Sequence, residues 1–350
     1  MSELDRFLTR EIDLGSFPSA SYAIGTTGGL VREQALGNAV AVPLRIGATT
    51  DTIYDCASIT KPLITGTLVL QAVAEGRIAL DDEYRGYTFR ELLTHTSGLK
   101  AWLPTFLYPS VLEAIERDGP EHPRGSRVTY SDLNFFLLYF ALEQIFGDYR
   151  AAATERIFAP LGLKDAWFTV PPALKPRVAA TEWGQRFEPR AFSFAFAGLR
   201  QGLMWGDVND GNSYHAGGTL GNAGLFATAR DVFRIAQAFA RGELVPRELV
   251  AEATRPHVED RGLAWQIGGM GLSPRSYGHT GFTGTSVWVD GERIFVLLTN
   301  RVHPCAAPIA MQQIRRTFHE LSVSSPSPSR APGGGGTPPA SLPRSPRPAR

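Results

Sequence analysis

The sequence predicts an α+β fold: one antiparallel sheet built from both ends of the chain, with a helical region inserted between them. Three observations predict it. Near the N terminus, Ser21 to Ile24 and Leu30 to Leu36 are short β-prone runs separated by Gly25 to Gly29, a hairpin signal. Near the C terminus, Thr285 to Val289 and Arg293 to Thr299 flank Asp290-Gly291, which suits a two-residue type I′ turn. The segments between are helical in pattern and do not alternate strand with helix.

In chain order, those helical patterns are Lys61 to Glu75 (ended by Gly76), Thr88 to Thr94, Val111 to Arg117, Asp132 to Phe146 and Ala229 to Arg241. Leu263 to Ile267 reads as a further strand and Ile309 to Leu321 as a closing helix. The sheet region is expected at about 1–60 and 250–321, and the helical insertion at about 61–249. Ser322 to Arg350 is Pro, Ser, Gly and Arg with scarcely an apolar side chain. Burial there cannot offset the entropy of ordering, so 322–350 is expected to be a disordered, solvated tail. No internal repeat and no Gly-rich phosphate-binding fingerprint is present.

The chain has 350 residues, 43% hydrophobic and 20% charged, enough for one large domain. A formal net charge of +1 gives no electrostatic case for nucleic acid. The opening MSELDRFLTREIDLG alternates charged and apolar residues, unlike an export signal, and no apolar run reaches the ~18 residues of a membrane span. Phe135 to Phe146, the nearest, reads as a buried helix. A cytoplasmic location is therefore expected, with Cys56 and Cys305 as reduced thiols. The seven histidines show no metal-ligand spacing.

Chemistry enters through lysine, of which there are only four: Lys61, Lys100, Lys164 and Lys175. Chance would give about 0.3 S-x-x-K matches for four lysines at ordinary serine frequency. There are two, Ser58-Ile59-Thr60-Lys61 and Ser97-Gly98-Leu99-Lys100. Gly98 is a turn residue, so the second pair lacks a fixed geometry and reads as a polar turn after a helix. Ser58 follows an extended segment and opens an apolar helix, with Pro62 tolerable in the first turn. It is either a helix N-cap or a nucleophile. The cap does not account for Lys61, one turn on along the same face. Burial there is expected to lower the lysine pKa and free the neutral amine as a base.

Two further segments bear on that choice. Tyr130-Ser131-Asp132 places a tyrosine just before a helix start, where it is either a buried aromatic or a proton shuttle. Gly278-His279-Thr280-Gly281-Phe282-Thr283-Gly284 leads into the C-terminal hairpin, and its small residues allow close approach to a strand edge. A backbone N–H there can face an oxyanion. The loop Gly198 to Gly224 carries Trp205, Asp207, Asn209, Asp210 and Asn212, and is either a wall over a cleft or a surface connection. Cys56 reads as a small buried residue.

Taken in order, these segments resemble the serine β-lactamase/penicillin-binding-protein superfamily, in its class C-like branch of esterases and D-peptidases. The family's S-x-x-K, Y-x-N and K-T-G or H-x-G motifs correspond to Ser58-Ile59-Thr60-Lys61, Tyr130-Ser131-Asp132 and His279-Thr280-Gly281. Leu92 to Leu99 looks like a helix-ending signature of that family, and Gly221 to Thr228 with Asp231 matches a further stretch. The likeness covers roughly residues 8 to 320.

The resemblance implies a β-lactamase/transpeptidase-like fold with the active site between sheet and helical region, and no cofactor. Ser58 would form an acyl-enzyme, Lys61 would accept its proton, and Tyr130 would relay protons to the leaving group. The backbone N–H groups of Ser58 and Phe282 would form the oxyanion hole. Asp132, His279, Thr280 and Gly281 would meet substrate. Two positions depart from the pattern. Asp132 replaces an asparagine that donates to substrate, and an ionised carboxylate only accepts. His279 replaces a lysine and is expected to titrate near neutrality. Both departures favour a small ester, amide or peptide substrate over a dedicated β-lactam. The alternatives are a D-Ala-D-Ala carboxypeptidase or D-aminopeptidase, a true β-lactamase, and a catalytically silent ligand-binding relative.

Overall fold

The computed structural model of the protein describes residues 1–324. Seven strands form one antiparallel sheet: β1 (Ser19–Thr26), β2 (Gly29–Val40), β3 (Ile46–Gly47), β4 (Gln266–Ile267), β5 (Tyr277–Thr280), β6 (Ser286–Asp290) and β7 (Arg293–Thr299). Their order across the sheet is β3-β2-β1-β7-β6-β5-β4. The two chain ends meet at its centre, where β1 pairs with β7 from Ala20↔Thr299 to Thr26↔Arg293. The fold is thus the α+β, β-lactamase/transpeptidase-like architecture expected from the sequence.

Alternation along the central strands dictates two covered faces. Tyr22 of β1 and Phe295 and Leu297 of β7 point to one side, with Trp288 of β6. There they pack on Leu4 and Leu8 of helix α1 (Glu3–Asp13) and Phe318 of the closing helix (Met311–Ser324). Ala23, Ile294, Val296 and Leu298 point to the other side and join the larger core. Helix α2 (Thr67–Ala74), α3 (Phe89–Thr94), α4 (Asp132–Phe146), α5 (Phe187–Phe192) and α6 (Ala229–Arg241) lie in the inserted region, and the closing helix is α7. Helix α6 lays Val232, Phe233, Ile235, Ala236 and Phe239 into the larger core, with Thr228 capping its first turn by accepting from the Asp231 N–H.

Several boundaries shift for local reasons. The β6–β7 turn is Gly291-Glu292, one residue later than expected, because Asp290 still pairs with Arg293. Gly291 alone of the two has a positive φ (61°), so the turn is not type I′. The strand expected over Leu263 to Ile267 shortens to β4. Helix α7 runs through the expected start of the tail to Ser324; the rest of that expectation, 325–350, lies outside the described residues. One helical stretch, Ala57–Ala74, is long and apolar enough to cross a membrane, and 78% of it is buried inside the fold.

Candidate active site

A two-residue strand, Tyr54-Asp55, pairs with Phe226-Ala227 and delivers the chain to Ser58. The buried Asp55 carboxylate accepts from the Ala57 N–H (2.8 Å) and the Asn209 N–H (2.7 Å). Ala57 needs that hold, because its φ of 48° is left-handed, an unfavourable region for a side chain with Cβ. Burial pushes the Asp55 carboxyl up to about 6. Ser58 then sits in a short 3₁₀ turn, half-exposed, and Thr60 donates back to the Ala57 carbonyl (2.6 Å). Lys61 to Gly66 winds as a wide π-type turn before α2 begins. Pro62 at its second position has no N–H to lose.

The Lys61 side chain is fully buried, and its ammonium meets three oxygens: Ser58 Oγ at 3.0 Å, the Asn222 carbonyl at 3.1 Å and Asp132 Oδ1 at 2.6 Å. Ser58 and Asn222 accept hydrogen bonds from it, and the Asp132 carboxylate balances its charge as an ion-pair partner. This corrects the expectation of a neutral amine. Burial does pull the Lys61 pKa down, but the Asp132 carboxylate and the Tyr130 phenol outweigh it, and the net displacement is upward. Desolvation acts in the expected direction, and the Asp132 counter-ion reverses the outcome. Asp132, expected to face substrate, has its carboxylate tied to Lys61 while keeping 17% of its side chain exposed to the cleft.

Tyr130 stacks between His95 (4.6 Å between centroids) and His279 (5.8 Å). Lys61 Nζ lies 5.0 Å from its ring centroid, and burial raises the phenol pKa despite that neighbouring ammonium. His95 ends α3 in a left-handed conformation, and its Nδ1 accepts from the Ser131 N–H at 3.0 Å. The helix-ending signature thereby holds the Tyr130 segment in place.

His279 lies on β5, buried, with Nδ1 2.8 Å from the Thr280 carbonyl. Burial and the nearby Lys61 push it down to about 3, so it is neutral at physiological pH. The expected titration near neutrality is therefore wrong: the ring is enclosed beside a fixed cation. Gly281 follows where the strand abuts the Ser58 segment, and a Cβ there would stand 2.8 Å from the Cys56 carbonyl and 2.1 Å from Thr285 Oγ1. Thr283 and Thr285 tie the two segments together by donating to the Asp55 and Cys56 carbonyls, both at 2.8 Å. The Ser58 and Phe282 backbone N–H groups find no protein acceptor among the described residues.

The second serine–lysine pair is dispersed. Ser97 is buried and donates to Asn134 Oδ1 at 2.5 Å, whereas Lys100 turns outward to Asp118. Gly98 between them has a φ of 82°, and a Cβ there would lie 2.0 Å from the His122 carbonyl oxygen.

Ser58, Tyr130 and Phe282 line both arms of a cleft. The narrow arm, of about 270 Å³, is acidic and aromatic: Asp132, Glu188 and Asp210 with Trp102 stacked on Phe192 at 4.0 Å. Burial pushes Glu188 up to about 7, with Asp210 adding to the rise. The wide arm, of about 1380 Å³, is lined by His279, Thr280, Gly281 and several arginines. The Gly198 to Gly224 loop is a wall of the narrow arm through Asn209, Asp210, Asn222 and Ala223; its Trp205 turns away to the Val178 carbonyl. Cys56 is buried, and burial raises its thiol well above the usual range.

Sequence reasoning missed Asp55, Glu188 and the arginines of the wide arm. Asp55 carried one signal, an acid inside the otherwise apolar Ile53 to Cys56 run. Glu188 and the arginines carried none, because they converge from segments distant in sequence.

A family model described as Beta-lactamase matches residues 4–316. A provisionally named D-alanyl-D-alanine carboxypeptidase of Escherichia coli K12 is 30% identical over 369 residues, covering 88% of this chain and 84% of the relative. Among solved structures, a penicillin-binding protein homologue of Caulobacter crescentus superposes with a TM-score of 0.71 at 20% identity, covering 91% of this chain and 95% of the other. A simvastatin synthase mutant of Aspergillus terreus gives 0.70 at 18% identity, with coverages of 91% and 95%.

Proposed function

The chain belongs to the beta-lactamase family of serine hydrolases, and on that premise we propose that it hydrolyses small esters or amides through an acyl-enzyme on Ser58. The observation that carries the reading is the fully buried Lys61 ammonium, 3.0 Å from the Oγ of Ser58, which itself lines both arms of the cleft. The ammonium donates to the Asn222 carbonyl and to Ser58 Oγ, and is ion-paired with Asp132. Loss to solvent of the proton directed at Ser58 turns the Nζ lone pair onto the serine hydroxyl, which is the base-ready state.

From there Nζ takes the Ser58 proton as Oγ bonds to the substrate carbonyl carbon. Charge builds on the carbonyl oxygen, where the unengaged N–H groups of Ser58 and Phe282 are available to receive it. Tyr130 then passes its phenolic proton to the leaving group and regains one from Lys61. Water enters and loses a proton to the same pair as its oxygen bonds to the acyl carbon; the Ser58 Oγ–acyl bond then breaks, Oγ takes that proton back, and the acid is released.

An ester is favoured over a β-lactam because Asp132 offers no amide donor. The second reading, a D-alanyl-D-alanine carboxypeptidase, rests on the name of the Escherichia coli relative. A panel of short-chain p-nitrophenyl esters, nitrocefin and D-aminoacyl amides, with Ser58→Ala as control, separates the readings. Ester turnover is expected to dominate. Dominant nitrocefin turnover would overturn the ester preference, and tight ligand binding with no turnover at all would mark a silent relative.

A further inference from the structure

Five arginines, Arg186, Arg190, Arg261, Arg301 and Arg315, line the wide arm of the cleft against a single carboxylate, Glu182. Glu182 is itself buried and accepts from the Phe187 N–H at 3.0 Å. Only Arg261 has an ion-pair partner among the described residues, Asp260 at 3.2 Å. The imbalance is sharpest at Arg315. Only 4% of this residue is exposed, its Nη2 donates to the Gly281 and Thr285 carbonyls (3.0 and 2.9 Å), and its Nε has no partner. Arg301 beside it donates Nε to the Phe282 carbonyl at 2.6 Å. Both guanidiniums are thus oriented by backbone carbonyls of the Gly281 to Thr285 segment, with no carboxylate to balance them.

A buried charge is normally paired, since desolvation costs several kcal/mol. Carbonyl dipoles satisfy donors but leave the net charge in place. The purely structural role, bracing the strand next to Ser58, accounts for those carbonyl bonds. It does not account for Arg186 and Arg190, which are exposed on and beside α5 and add two more positive charges across the same arm. The charge missing at His279 is therefore restored several times over by residues from α5, α7 and the loop after β7.

Resting on the acyl-enzyme reading, we propose that the wide arm is the subsite for a leaving group carrying at least two negative charges, a phosphorylated or polycarboxylate moiety, whereas the narrow arm takes the acyl group. A single carboxylate would leave most of the five guanidiniums unanswered, and the arm's volume of about 1380 Å³ exceeds what one amino-acid leaving group fills. No bond is made or broken in this subsite.

The test is calorimetric titration of the full-length Ser58→Ala protein with pyrophosphate, tricarballylate and acetate at one ionic strength. Because that variant cannot acylate, anion binding is read separately from catalysis, and either claim can fail alone. Pyrophosphate or tricarballylate is expected to bind at least ~10-fold more tightly than acetate, weakening as salt is raised. Binding of pyrophosphate alone identifies a phosphorylated group, and binding of both a polyanion in general. Adding Arg186→Gln and Arg190→Gln, exposed positions where folding is not at stake, should weaken binding about fivefold. Equal affinity for acetate, no binding, or indifference to the double substitution overturns the proposal.

Discussion

The same four-residue spacing occurs twice in this chain, and the two copies have opposite fates. At Ser58 and Lys61 a helical turn keeps both side chains on one face, and the lysine is buried against three oxygens. At Ser97 and Lys100 a left-handed glycine intervenes, sending the serine into the core and the lysine to the surface. The motif is a spacing; chemistry follows only where the backbone between its ends is helical and an acceptor set waits for the ammonium.

Substitution at the two serines probes the contrast most strongly. Ser58→Ala should reduce ester turnover by ~10³-fold or more in steady-state assays with unchanged folding. Ser97→Ala should leave turnover within a fewfold and cost about 1–3 kcal/mol in denaturant unfolding, through the unsatisfied Asn134 acceptor. Equal losses of activity would erase the distinction.

The lysines should differ in stability as well. Lys61→Met abandons the Asp132 carboxylate in a largely enclosed site, for an expected loss of about 3–5 kcal/mol. Lys100→Met breaks a partly exposed pair with Asp118, for about 1 kcal/mol or less. Between them in size, Gly98→Ala should cost about 2–4 kcal/mol, because φ is 82° and the new methyl meets the His122 carbonyl.

The smallest expected effect concerns pH. Asp132 raises the Lys61 pKa, so the neutral amine, and with it activity, grows as pH rises toward that raised value. Asp132→Asn removes the charge while burial still pulls the lysine down. The rising, acid-side limb of the pH–rate profile should then move to lower pH. A limb that stays in place would show that Lys61 is not the titrating base.

Legibility followed locality. The strands at the two chain ends, helices α4 and α6, and the different backbones of the two serine–lysine pairs rest on patterns within a dozen residues, and those were readable. The protonation states of Lys61 and His279 depend on Asp132 and on enclosure by three separate segments, so the sequence reverses the direction for Lys61 and places the His279 titration too high. Asp132 was noticed as a departure from a motif, yet its role as the lysine's counter-ion needs the 2.6 Å approach that only the fold supplies. The arginines of the wide arm converge from positions 186 to 315 and leave no local trace.

The central claim, that Ser58 and not its counterpart carries the acyl group, is tested most directly by mapping a covalent serine-directed probe on the intact protein by mass spectrometry. One adduct is predicted, on the peptide containing Ser58, retained in Ser97→Ala and lost in Ser58→Ala. Label on Ser97, or ester turnover that persists in Ser58→Ala without any adduct, would contradict it.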